Sequence, residues 1–288
     1  MTTTNRKTIL VTGATGKQGG AVARRLLARG HTVRAFTRND SSDAARALAT
    51  AGAQLAIGSL ADRASLDRAL AGADAVFAMG TPFEGGPEAE IEQGKHVADA
   101  AKAAGVYVVY TSVGSADRTT GIPHFDSKAR VEEHLRAIDA RAAIIAPVYF
   151  MENAYFTRDQ LKAGIWATPL SPGRKLAQIA VDDIAAAAVV ALEHDDRFAG
   201  TRHDLAGDEV SGEDAVAIVS RLAGRPFSYF QVPLDMIRAG MGEDGVLMYE
   251  WFERTGYTID RGALAKAFPE VEWTSFERWA AQQPWNAL

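Results

Sequence analysis

Gly13, Gly16 and Gly19 recur at three-residue spacing, directly after a β-rich apolar run at 8–11 and directly before a helical pattern. Glycine there serves a chemistry that bulkier residues would block. Gly13 permits a tight turn, Gly16 lets the backbone approach a diphosphate, and Gly19 lets a helix pack closely on the strand. The helix N-terminus offers unpaired N–H groups and the positive end of its dipole to phosphate oxygens. Thr15, Lys17 and Gln18 share this turn and are expected at the same ligand. Val22, Leu26 and Leu27 continue the helix, Gly30 stands where a C-cap would end it, and a second strand follows at 32–37. A strand–turn–helix–strand unit of this length is the fingerprint of a dinucleotide-binding fold.

The end of the second strand distinguishes the dinucleotides. An NAD site places an acid there to accept from the ribose 2′-OH. This chain places Arg38 there instead, and the first acid, Asp40, comes only after the strand. A guanidinium fork suits a 2′-phosphate, so NADP(H) is the expected cofactor. Ser59 and Leu60, in the turn after the third strand, are expected to flank the adenine. Met79, Gly80 and Thr81, after the fourth, are expected beside the central part of the cofactor.

His124 and Lys128 are four residues apart and share a helix face if the helix reaches His124. Lysine there suits donation to nicotinamide-ribose hydroxyls, and its charge lowers the pKa of a neighbouring acid. His124 is either a proton donor and acceptor near neutral pH or an exposed residue where the helix begins. Tyr149, Phe150 and Asn153 follow the sixth strand, where the nicotinamide is expected. Tyr149 serves there as a stacking or donating group, or as a core aromatic. The candidate catalytic set is therefore Lys128, His124 and Tyr149. Phe83, Phe156, Trp166, Tyr249, Trp251 and Phe252 form a weaker set of candidate pocket aromatics.

Regular alternation of strand and helix positions these residues. Strands are expected at 8–11, 32–37, 54–57, 75–79, 106–111 and 142–147. Helices are expected at 42–51, 63–70, 88–105 and 125–138. Short apolar strands with helical crossovers imply an α/β, Rossmann-like, doubly wound parallel sheet. Beyond residue 150 the rhythm breaks. A strand at 175–181, a helix capped by Asp182, a capping box opening at Ser211, a strand at 227–232 and a last helix opening at Thr274 are expected. Met248, Trp251, Phe252 and Thr255 would share one face of a late helix. The division expected is a cofactor domain at 1–153 and a smaller C-terminal α/β lobe at 154–288, with 175–205 returning to the main sheet.

Composition narrows the classes. Of 288 residues, 47% are hydrophobic and 23% charged, with a net charge of −5, which favours neither nucleic acid nor anionic membrane as a partner. The absence of cysteine excludes disulfides, thiolate metal sites and a cysteine nucleophile. The histidines fit no local metal motif, so no metal is expected. The longest apolar stretch, 184–192, is too short to span a bilayer. The first residues carry no apolar signal segment, and a cytoplasmic monomer or homodimer is expected.

The segments GATGKQGG at 13–20, VVYTSVGS at 108–115, HFDSKARVEEHL at 124–135, APVYFMEN at 146–153 and VDDI at 181–184 together resemble the NmrA-like proteins, atypical members of the short-chain dehydrogenase/reductases. The resemblance spans most of the chain and is strongest through residue 153. It implies an NADP(H)-preferring Rossmann protein that is either a reductase or a cofactor-ratio sensor binding a regulatory protein. By resemblance, Ser112 stands near the serine slot of the short-chain dehydrogenases and Lys128 in the lysine slot. His124 replaces the tyrosine, which puts standard carbonyl reduction in doubt. The expectation is an NADPH-dependent reductase of a small aromatic or quinone-like acceptor, with a redox sensor as the alternative.

Overall fold

A computed structural model describes residues 6–286, leaving out the side chain of Phe83. Its first half is built of β1 (Thr8–Val11), α1 (Lys17–Ala28), β2 (Thr32–Thr37), α2 (Asp43–Thr50), β3 (Gln54–Ile57), α3 (Arg63–Leu70), β4 (Ala75–Ala78), α4 (Pro82–Ala104), β5 (Tyr107–Thr111), α5 (Pro123–Ala137) and β6 (Ala142–Pro147). Strands β1, β2, β3 and β6 have the bounds that apolar runs and turn residues dictate. Helix α4 starts six residues before the expected 88. Gly86 interrupts it at φ 82° and ψ 174°, so residues 82–85 form a separate turn hinged on the body of the helix.

The remaining elements are β7 (Tyr149–Phe150), a 3-10 segment Met151–Thr157, α6 (Arg158–Lys162), β8 (Ile165–Thr168), β9 (Leu176–Ile179), α7 (Val181–Glu193), α8 (Asp195–Phe198), β10 (Arg202–Leu205), β11 (Asp208–Val210), α9 (Gly212–Ala223), β12 (Ser228–Gln231), α10 (Leu234–Arg254), α11 (Arg261–Ala267) and α12 (Phe276–Ala281). The main sheet has seven strands in the order β10-β6-β5-β4-β1-β2-β3, every neighbouring pair parallel. Of the segment 175–205, α7 packs on this sheet and β10 joins it beside β6. Strand β9 lies instead between β7 and β11. β8 and β12 form a two-stranded parallel pair.

Period-two alternation along the strands feeds two cores, one on each face. Ile9, Val11, Val33, Phe77, Val109 and Ile145 belong to one, and Leu10, Phe36, Val76, Val108, Tyr110 and Ile144 to the other. Helix α7 packs against α1 and over β4–β6, which explains why Ile184–Leu192 is buried all round. α4 packs between α3 and α5 on the other face. A third core includes Leu161, Trp166, Val219, Phe276, Trp279 and Trp285.

Three expected helix ends after residue 150 differ. Asp182 does not cap α7. Ala180 holds the N-cap position without a side-chain bond, and Glu152, from beyond β6, accepts from the Val181 N–H at 3.1 Å. Thr274 does not open α12. Ser275 caps it, while Thr274 donates through backbone and hydroxyl to Asp183 at 2.7 and 2.8 Å. Thr255 lies past the end of α10 and is exposed. The capping box at Ser211 is present, with Asp214 in the reciprocal position. No helix among the described residues is long and apolar enough to cross a membrane.

Candidate cofactor and proton-transfer site

The three glycines have three distinct physical roles. Gly13 adopts φ +60°, and a Cβ there would lie 2.5 Å from Met79 Sδ. The Gly16 N–H donates to the Gly13 carbonyl at 2.9 Å, which closes the turn and makes Gly16 the N-cap of α1. A Cβ on Gly19 would drive into the Gly13 carbonyl and come within 2.8 Å of the Thr12 carbonyl oxygen. Thr12 fastens the turn sideways: its hydroxyl donates to Met79 O at 3.0 Å and accepts from Met79 N at 2.8 Å.

The α1 N-terminus suits an anion. It has no side-chain cap and no acid in its first turn. Thr15, Gly16 and Lys17 are exposed there, and Lys17 Nζ lies 5.0 Å from the ring centre of Phe156, which links the turn to the segment after β6. Gln18 is buried, and its Oε1 has no hydrogen-bond partner among the described residues. Glycines with no room for Cβ and an open helix end together fit a dinucleotide diphosphate.

Arg38 follows directly on β2. Its two terminal nitrogens donate to Glu84 at 2.6 and 2.9 Å, a two-pronged pairing that holds the Glu84 carboxyl below its ordinary pKa. Ser59 and Leu60 are half-buried. The Ser59 N–H donates to Ser65 Oγ at 3.1 Å, and the Leu60 carbonyl meets His96 Nδ1 at 3.1 Å, so the turn after β3 is pinned to α3 and α4.

Lys128 projects from α5 onto Glu90 of α4, with which it forms an ion pair. Ser127 Oγ donates to the second oxygen of the same carboxylate. Glu90 is 1% exposed, so an unpaired charge there would be costly. A Cβ on Gly80 would lie 3.2 Å from Glu90 Cγ. Contacts therefore run from Gly13 through Met79 and Gly80 to Glu90 and Lys128, placing the lysine beside the carboxyl ends of β1 and β4. Thr81 follows Gly80 and is half-buried.

Helix α5 begins at Pro123, so it reaches His124 and puts His124 and Lys128 on one face. His124 is not an exposed helix-start residue. Its side chain is 12% exposed, and Nδ1 lies 2.8 Å from both carboxylate oxygens of Asp244 on α10. An Nδ1 facing a carboxylate carries the hydrogen. Ser112 faces elsewhere. Its hydroxyl donates to buried Glu132, which Arg136 and Arg202 also bind at 2.8 and 3.0 Å.

Tyr149 Oη lies 3.3 Å from Tyr249 Oη, and its ring packs edge-on to Phe252. Burial raises the Tyr149 pKa, outweighing hydrogen bonds with Tyr249 and Asn153 that pull the other way. The phenol is therefore neutral near pH 7 and can donate. Phe150 and Asn153 are half-buried beside it. Tyr249 also lines a cleft of about 620 Å³ with Pro233, Leu234, Glu250 and Glu253. Trp166 belongs to the third core, and Trp251 and Phe252 to the first, so these three are packing residues. Phe156 is 78% exposed. The side chain of Phe83 lies outside the described residues. Among the described residues no group of three or more His, Cys, Asp or Glu could hold a metal ion.

Glu84, Asp244 and Glu90 were not among the sequence candidates. Their partners are 46, 120 and 38 residues away, beyond any local pattern. Glu90 left one trace: it occupies the helical stripe 90, 94, 97, 101 whose other members are small or apolar, an acid where the pattern calls for core.

Comparison with known proteins gives the family and the fold. The NmrA-like family model matches residues 5–280. A (4-alkanoyl-5-oxo-2,5-dihydrofuran-3-yl)methyl phosphate reductase from Streptomyces griseus is 31% identical over 92% of this chain and 91% of its own. An NAD(P)H azoreductase from Xenophilus azovorans is 31% identical over 81% of this chain and 80% of its own. The solved NADPH-dependent quinone oxidoreductase from Escherichia coli superposes with a TM-score of 0.80 at 24% identity, over 95% of this chain and 98% of its own.

Proposed function

Because the chain belongs to the NmrA-like family, we propose that it is an NADP(H)-dependent reductase of a small conjugated acceptor, aromatic or quinone-like. One observation carries this reading: the open N-terminus of α1, Lys128 and the His124–Asp244 pair stand along one edge of the parallel sheet. In a doubly wound fold that is the edge where ligands bind. Two relatives sharing 31% identity across most of their length bear the name reductase, one of them for azo compounds, which supports a conjugated acceptor.

When bound, the nicotinamide supplies the hydride. The chain does the rest. The Gly13–Gly19 turn and the α1 N–H groups hold the diphosphate, and Arg38 receives the 2′-phosphate. Lys128, fixed by Glu90, donates to ribose hydroxyls. Tyr149 and Asn153 offer donors at the nicotinamide end. His124 delivers a proton from Nε2 to the reduced acceptor, and Asp244 stabilises the ring while both nitrogens are protonated. A conjugated acceptor spreads the incoming charge over its own π-system, so the tyrosine of the standard short-chain enzymes is dispensable.

The test is NADPH oxidation against quinones and azo compounds. Turnover is expected, with His124→Gln lowering kcat about 100-fold and leaving cofactor affinity within twofold. Tight NADPH binding without turnover on any acceptor would overturn the reductase reading in favour of a cofactor sensor.

A further inference from the structure

The Arg38–Glu84 pairing crosses the place where the dinucleotide has to enter. Arg38 follows β2, Glu84 sits on the turn after β4, and β1, with its glycine turn, lies between those strands. The pair therefore straps across the carboxyl end of β1. Glu84 takes both prongs of the guanidinium, at 2.6 and 2.9 Å, the geometry a phosphate would use. Both side chains are well exposed, 67% for Arg38 and 59% for Glu84, so water and salt screen the pairing and it opens readily. Residues 82–85, which carry Glu84, are a single turn, cut from the body of α4 by Gly86 at φ 82° and followed by Pro87.

We propose that Glu84 is a cofactor-specificity residue that competes internally with the 2′-phosphate for Arg38, an inference that rests on the NADP(H) reading above. A phosphorylated dinucleotide takes the Arg38 fork and releases Glu84 with the 82–85 turn. An unphosphorylated one brings no anion to the fork and leaves the strap paired. Glu84 thereby weakens NADP(H) binding and leaves NAD(H) binding nearly untouched. Because NADPH and NADP⁺ both carry the phosphate, the strap reads phosphorylation of the cofactor and not its reduction state.

The experiment is titration calorimetry of the full chain with NADPH and NADH, on wild type, Glu84→Gln and Arg38→Ala. Both positions are exposed, so the variants are expected to fold. Glu84→Gln is expected to bind NADPH about threefold to fivefold more tightly, the worth of an exposed ion pair, with NADH within twofold of wild type. Unchanged or weaker NADPH binding, or equal tightening of both cofactors, would overturn the role of Glu84. If Arg38→Ala loses its preference for NADPH in that case, the phosphate site itself stands. If Arg38→Ala keeps the preference, the NADP(H) reading of Arg38 falls, and the role of Glu84 falls with it.

Discussion

Lys128 is tied to Glu90, and its ion pair lies at the edge of the core, with the carboxylate 1% exposed and the ammonium side chain 14% exposed. Neither charge is cheap to leave alone at that depth. Lys128→Met is expected to destabilise the fold by about 3 kcal/mol, because it strands the buried Glu90 charge, leaving Ser127 as its donor among the described residues. The double variant Lys128→Met with Glu90→Gln is expected to recover most of that loss. Urea unfolding of the two proteins tests this. A single variant as stable as wild type would mean that Glu90 is not held charged by the lysine. At this scale the sequence was legible wherever a residue type alone defines the chemistry. The glycine turn at 13, 16 and 19 is such a case. Glu84, Glu90 and Asp244 were not legible, because a carboxylate has meaning only through the cation or imidazole that the fold brings to it. Ser112 shows the converse: its slot suggested a site residue, and the buried acid Glu132 captured its hydroxyl.

Among the elements, the β1–α1 junction is the most tightly specified. A Cβ on Gly19 meets two backbone carbonyls, which cannot swing aside as a side-chain tip can. Gly19→Ala is therefore expected to push α1 away from β1, costing about 1–3 kcal/mol, and to spoil the N–H cradle at the same time. Thermal unfolding together with an NADP⁺ titration measures both effects. Wild-type stability with wild-type binding would contradict the close approach. Strand bounds were readable because apolar runs end at glycine, proline and polar residues. Helix starts were less so. The α7 N-terminus is satisfied by Glu152, 29 residues earlier, and α12 uses Ser275 because Thr274 is committed to Asp183. Local capping rules cannot anticipate a cap supplied from another element. Helix α4 begins early because Pro82 starts a turn and Gly86 then breaks it.

Across the whole molecule, the C-terminal part is stapled onto the sheet by contacts that sequence periodicity does not encode. Arg197 on α8 binds Glu270 at 2.6 Å and lowers its pKa to about 2. A carboxylate depressed in the folded state stabilises above its unfolded pKa, about 4.3, and the contribution fades as pH falls through about 2. The pair is partly exposed, so its worth is less than about 1 kcal/mol. Glu270→Gln is expected to lower Tm slightly at neutral pH and to match wild type near pH 2. A constant difference across that range would rule out the ionised pair as the cause. The parallel sheet was foreseeable from the strand–helix rhythm of the first half. The placement of β9 between β7 and β11 was not, since a short buried strand carries no mark of its partner.

The most direct test of the account is a calorimetric titration of the wild-type chain with NADP⁺ and with NAD⁺ under identical salt. Charge-assisted bonds from Arg38 to the 2′-phosphate predict NADP⁺ binding tighter by about tenfold or more. Equal affinities, or no uptake of either dinucleotide, would contradict it.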